Sequence, residues 1–509
     1  MQLAGQKIST AMTAGALLLT VATVWIIPVD LIPYWLLGVG ALTGFVAYAV
    51  LGNPLLAVLA WFVTVTCLHE EFWRLILPTF FNPTIPRILL VGLIGLFVLM
   101  TAVGRFRIYW AWPTSLLIAA ILVYFTVSAA VAGFEANVVP SVHYRLIGGY
   151  WFAFIVFGML IQAIRTDRDI KWLLTFFFLL GLYLTFTGWA ERFRLWSLVW
   201  PGFIADPTKG IHWGRVRGPF LASPIMGLAM VYVFFNNLVL ARMSGPVFRL
   251  VCRLAALAAL PVIFWTQTRS VWLAMLVAGL LWMGLSRRGM TRVASMCLIL
   301  AVAAGGVAYN WRNIVSPRRE VGGVTDVDPI YARIGLVLIT WDMFKDRPML
   351  GVGFGHFRDH APPYARNPSS PYYAFASAAM EHNNFLSILA ECGLAGLILY
   401  VWLLLALVRV SLRLYRRLPA MGSEPISRDL VVLYWVLFID FFIDSMFRET
   451  TSSPFANALF FGLSAVIFAL DHLLGPEPLP EPQAAEGTAR SAPPSVQPAL
   501  APAGPARGE

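Results

Sequence analysis

The chain is poor in charge and poorer in acid. Of 509 residues only 12% are charged, and 26 Asp+Glu stand against 37 Lys+Arg. Hydrophobic residues make up 59%, and mean hydropathy is +0.74. A water-soluble fold of this length cannot bury that much apolar surface, so the solvent is lipid. The net charge of +11 does not imply nucleic acid, because most of the arginines lie between apolar segments. Cysteine is scarce. Cys67, Cys252, Cys297 and Cys392 stand apart, within or beside apolar runs, with neither metal-ligand spacing nor a disulfide framework. They read as packing residues. Period-two alternation is missing, which excludes a membrane β-barrel. No cleavable leader is evident: the first apolar run follows one basic residue, Lys7, lacks a small-residue cleavage site and reads as a retained helix. No internal repeat of the kind many transporters carry stands out.

What the chain has is apolar segments of membrane length. They predict an all-α polytopic membrane protein of about 12–14 transmembrane helices with one large loop on the outer side. Candidate spans fall near 10–27, 34–51, 54–68, 88–104, 112–133, 145–164, 171–190, 220–241, 249–266, 270–286, 291–309, 383–408, 429–447 and 454–473. The basic stretches 104–107, 164–171, 242–253, 286–292 and 409–417 share one side if the spans alternate. The positive-inside rule makes that side, and both termini, cytoplasmic. Longer polar segments 134–144, 191–219 and 310–382 then face outward. Within the last, "IYARIGLVLITWDMFKDRP" reads as an amphipathic helix on the outer membrane face, followed by the glycine-rich turn "MLGVGFGHF". The chain thus divides into a membrane domain, 1–474, and a Pro/Ala-rich tail, 475–509, expected to be disordered and cytoplasmic.

Chemistry concentrates where "EHNNFLSILAECGLAG", 381–396, opens an apolar run. Asn383 or Asn384 can cap a helix there. On a continuous helix Leu386, Leu389, Gly393 and Gly396 lie within roughly 40° of the face of His382. Two glycines on that face would admit a second helix. A helix N-terminus disfavours imidazolium and keeps a histidine ready to accept a proton. The residues alone leave two roles open for His382, a general base or a polar group bonded to a loop. Arg215 and Arg217 precede one span, and Arg269 sits in a tight turn between two others. Planar guanidinium groups suit phosphate oxygens. They can equally snorkel to lipid headgroups or pair with Glu191, Asp206 or Asp342. Asp440, Asp444 and Arg448, spaced by four, read as a structural ion network, with Glu449 beside them. His69-Glu70-Glu71 lacks a second histidine at helical spacing, and His356 and His360 lie in a turn, so no metal site is expected.

These stretches resemble the bacterial O-antigen ligase and polymerase superfamily. "HNNFLSILAECGLAG" fills the family pattern of His, Asn, nine residues, Gly, two residues, Gly with His382, Asn383, Gly393 and Gly396. "DMFKDRPMLGVGFGHF" is similar to the segment of the large periplasmic loop, and "RVRGPF" and "TQTRS" occupy the places of the family's arginines. The resemblance covers roughly 210–400. It implies a metal-independent, inverting glycosyltransferase without cofactor. The donor would be a glycan on undecaprenyl pyrophosphate and the acceptor lipid A–core, met at the periplasmic face. His382 would activate the acceptor hydroxyl, and Arg215 and Arg269 would hold the pyrophosphate, with Arg217 sharing or competing. Two departures are an excess of spans over the family's about twelve, and the Pro/Ala tail. Within the same superfamily a repeat-unit polymerase of O-antigen or exopolysaccharide fits nearly as well. A protein O-glycosylation ligase differs only in acceptor. A transporter of lipid-linked sugars would place its charges near the bilayer midplane instead.

Overall fold

The computed structural model describes residues 53–68, 84–102, 104, 108–134, 141–286, 289–309, 311, 328–365, 370–374 and 382–475. The expected spans at 10–27 and 34–51, the 69–71 cluster and nearly all of the tail lie outside them. The described residues form helices without strands. In chain order these are α1 (Pro54–Cys67), α2 (Ile85–Ala102), α3 (Thr114–Ala132), α4 (Val142–Ala163), α5 (Asp167–Arg192), α6 (Ser223–Arg242) and α7 (Pro246–Trp265), then α8 (Arg269–Ser286), α9 (Gly289–Tyr309), α10 (Asp328–Asp346), α11 (Asn384–Arg417), α12 (Arg428–Phe447) and α13 (Pro454–Leu473). Eleven of them, all but α1 and α10, are long and apolar enough to cross a membrane. The protein is an all-α polytopic membrane protein, and α1 to α9 and α11 to α13 fall on the twelve expected spans from 54–68 onward. The unit holding these helices ends at Leu473.

Local chemistry fixes the helix ends. Thr166 and Asp169 form a reciprocal capping box that starts α5. Ser453 caps α13, with Pro454 at its first position. Inside α4 the π-turn 147–151 brings Gly149 so close to Thr451 that a Cβ would lie 2.9 Å from its Cα. The loop after α12 therefore rests on α4. The core is a bundle in which α6 packs on α5, α7 and α12, α8 packs on α12, and α4 packs on α13. Ring pairs such as Phe441 on Phe460, at 4.1 Å, fill it. Cys67, Cys252 and Cys392 are buried in it, whereas Cys297 is exposed on α9.

The two ends of the bundle differ. At one end Arg242 pairs with Asp429, Arg413 and Arg417 pair with Asp471, and His472 stacks on Tyr109 at 3.9 Å. The basic stretches around 242 and 409–417 thus share that end. The other end gathers the C-termini of α3, α5, α7 and α12 and the N-termini of α4, α6, α8, α11 and α13. It holds every expected site residue.

Candidate active site

The helix that opens at His382 is not continuous. Gly393 has φ +64° and ψ −167°, which breaks α11 into a half of nine residues, Asn384–Cys392, and a longer half from Leu394. The longer half alone is about 36 Å, enough to cross a bilayer. The break frees backbone groups on both sides, and the glycine-rich turn takes them. Val352 and Gly353 N–H donate to the carbonyls of Ala390 and Glu391, at 3.0 and 2.8 Å. Leu394 and Ala395 N–H donate to Pro348 and Met349, at 2.8 and 3.3 Å. Tyr124 on α3 donates its hydroxyl to Cys392 O at 2.7 Å. A Cβ on Gly351 would collide with the backbone of Ala390 and Glu391, and one on Gly393 with that of Met349 and Leu350. The expectation that Gly393 admits a neighbouring helix is thus corrected: a loop backbone docks there. Gly396 does lie against a helix, with Tyr124 of α3 3.1 Å from where its Cβ would be.

His382 is exposed at the head of the short half-helix. Asn383 is the N-cap: its Oδ1 accepts from Phe385 and Leu386 N–H at 2.9 and 3.1 Å. Its Nδ2 donates to Met446 O, which ties the cap to the end of α12. Asn384 turns inward and donates to Tyr400 Oη at 3.1 Å.

A group that sequence reasoning passed over holds this half-helix from beneath. Arg145 of α4 is 4% exposed. It donates to both carboxylate oxygens of Glu391, at 2.7 and 3.0 Å, and to Ser387 Oγ at 3.3 Å, so it grips α11 twice. It also reaches Glu449 at 3.2 Å and Thr451 Oγ1 at 3.0 Å. Phe357 N–H adds a bond to Glu391 Oε1. The network joins α4, α11, the loop after α12 and the glycine turn. Burial, reinforced by Glu391, raises the Glu449 carboxyl above its ordinary range although Arg145 opposes the shift. Beside it Arg448 pairs with Asp444, as spacing predicts, but Asp440 Oδ2 is buried without a hydrogen-bond partner.

The three arginines part company. Arg217 is 0% exposed. Its guanidinium donates to the carbonyls of Lys209, Ile204 and Asp206, stacks on Trp213 at 4.4 Å, and lies 3.6 Å from Glu191. Glu191 Oε2 in turn accepts from the N–H groups of Arg217 and Gly218. Arg217 is therefore an internal brace of the 191–222 loop, and its expected share in substrate binding is withdrawn. Arg215 points elsewhere. It is half-buried and donates to Gln267 O, in the turn that leads directly into Arg269. Val216 N–H to Trp265 O locks the two loops together. Arg269 is exposed at the N-terminus of α8, an end whose free N–H groups and dipole favour anions. Among the described residues the non-glycine residues with positive φ are Arg194, His212, Leu221 and Gln267, all in these two loops. Such backbone is found where surroundings over-determine it, as at functional sites.

His356 and His360 lie in and beside a single helical turn, and His356 Nε2 is used by Gly133 O at 2.6 Å. Asp342 pairs with Lys345 at 2.7 Å.

The fold and this end of it define the class: a polytopic helical membrane protein that presents a histidine and two arginines at one end of its bundle. Residues 254–401, from within α7 into α11, match the family model described as O-antigen ligase. The O-antigen ligase of Salmonella typhimurium is 27% identical over 212 residues, 41% of this chain and 50% of that protein, so the match spans about half the relative's length. Over the matched segment the chain is similar to the O-antigen ligase family.

Proposed function

We propose that the chain is a glycosyltransferase that moves a glycan from undecaprenyl pyrophosphate to a hydroxyl of lipid A–core, at the periplasmic face of the bacterial inner membrane. One observation carries the reading. An exposed histidine directly precedes the N-cap of a separately held half-helix, at the same bundle end as Arg215 and Arg269. The family match supports it. The opposite end, with Arg165, Arg242, Arg413 and Arg417, is the cytoplasmic one by the positive-inside rule.

His382 takes the proton of the acceptor hydroxyl as the oxygen attacks the anomeric carbon. The new glycosidic bond forms on the face opposite the pyrophosphate as the old carbon–oxygen bond breaks, which inverts the centre. The short half-helix favours neutral imidazole at its N-terminus, the state a base needs. Arg215 and Arg269 stabilise the charge that develops on the departing pyrophosphate. The half-helix gets its aim from Arg145 and the glycine turn.

The test is a gel of surface glycolipids run beside extracted lipid-linked glycans. Strains lack the gene or carry it as wild type or His382→Ala. Long glycans stranded on undecaprenyl pyrophosphate with bare lipid A–core, in the null and His382→Ala strains alike, are expected. Chains stopped at one repeat would replace the ligase by a polymerase. Unchanged lipopolysaccharide with an unglycosylated protein would point to a polypeptide acceptor.

A further inference from the structure

Helix α10 lies between α9 and α11 and is not among the helices of membrane length and apolarity. Its inward face is ordinary. Leu336, Ile339 and Met343 pack with Val352, Phe357 and Ala390 in a small core separate from that of the bundle. Its outward face is not. Ile334, Val337, Leu338 and Trp341 follow one helical stripe and are 42%, 47%, 40% and 53% exposed. A helix with one face in a core and the other in water carries polar residues outward. Its flanks are occupied: Tyr331 meets Tyr372 at 5.2 Å and Arg333 lies over Phe447 at 5.4 Å.

What covers the stripe follows from where it leads. Past α10 come Met349 and Leu350, 60% and 66% exposed. Their backbone is pinned to the start of the longer half of α11 through Leu394 and Ala395. There the outward stripe of that membrane helix begins: Leu394, Ile398, Trp402 and Leu405, 38% to 61% exposed. On a membrane-spanning helix such a stripe faces acyl chains. The exposed face of α10 is therefore continuous with a lipid-facing surface at its outer edge.

We infer that α10 is an interfacial helix, lying along the leaflet boundary with Ile334, Val337, Leu338 and Trp341 sunk among the lipids. A tryptophan in the stripe and exposed Lys345 and Arg347 at its end suit an interface of acyl chains below and phosphates above. Through Ala390 the same helix braces the half-helix of His382. The leaflet thereby sets the height of His382 above the surface in which a lipid-linked donor is dissolved. The placement rests on the membrane fold alone, and only this consequence rests on the proposed reaction.

The test uses the full chain with Cys297→Ser, reconstituted in phosphatidylethanolamine–phosphatidylglycerol vesicles. Nitroxides are attached singly at Val337→Cys, Leu338→Cys, Trp341→Cys and Lys345→Cys. Collision with oxygen, which partitions into lipid, is compared with collision with a water-soluble nickel chelate. The first three sites should favour oxygen several-fold more than the Lys345 site. Equal access of all four to the chelate would overturn the inference. Dipolar broadening at Leu338 and Trp341 would overturn it too, because a second copy would then be the cover. No transfer step enters the readout, so its failure leaves the proposed reaction standing, and inactivity of the wild type leaves this placement standing.

Discussion

Gly393→Ala isolates the element that aims His382. At φ +64° and ψ −167° an L-residue costs about 1–3 kcal/mol, and the new Cβ overlaps the Met349 carbonyl. The way out is for α11 to close into a continuous helix and expel the glycine turn. Four hydrogen bonds between turn and helix are then lost, each worth about 0.5–1.5 kcal/mol. Closing the helix regains a similar number within α11. Net stability should move by no more than about 2 kcal/mol, since the two sets nearly cancel. Position does not cancel. The half-helix leaves the line set by Arg145 and the turn, and a shift of about 1 Å at a catalytic group costs on the order of 10²-fold in rate. Membrane abundance and Tm should stay close to wild type while transfer from a lipid-linked glycan falls at least about 100-fold. Gly351→Ala, which places its Cβ against the backbone of Glu391, should behave alike. Wild-type transfer by both variants would refute the reasoning.

Other consequences follow from the charges. Arg145→Met leaves Glu391 and Glu449 buried without their cation and should cost about 3–5 kcal/mol; thermal unfolding in lipid checks this, and adding Glu391→Gln should recover part of it. Arg217→Ala should lower abundance, since it strands Glu191 and three carbonyls, whereas Arg269→Ala should fold normally and raise KM for the pyrophosphate donor about 10-fold or more. Glu449 has a folded pKa above its unfolded one, so as pH rises past the ordinary carboxylate value the unfolded chain loses its proton first. Stability from this group is therefore fullest in acid and declines with rising pH up to the raised folded pKa; Glu449→Gln should flatten that part of a Tm-against-pH curve.

Much of the fold was legible because lipid imposes a simple rule: a bilayer needs about 20 apolar residues per helix, and twelve of the expected spans are seen as helices. The break at Gly393 was not legible. Apolar residues run on both sides of it, and nothing local distinguishes a helical glycine from one with positive φ. The signal was distributed: the glycines of 351–355 are its complement, some forty residues earlier. Arg145 was missed because its partner Glu391 is 246 residues away and an arginine near a helix start resembles an interfacial one. Arg215 and Arg217 are two residues apart and chemically alike. Only the depth of Glu191 and the carbonyls of the 204–209 loop assign one inward and leave the other at the surface.

The most direct test of the account is transfer itself. The purified chain in vesicles receives a glycan on undecaprenyl pyrophosphate and a lipid A–core acceptor, and initial rates are compared with those of His382→Ala. The account predicts product from the wild type and a rate at least about 100-fold lower from the variant, with donor binding retained. Equal rates would remove His382 from the chemistry and contradict the account at its centre.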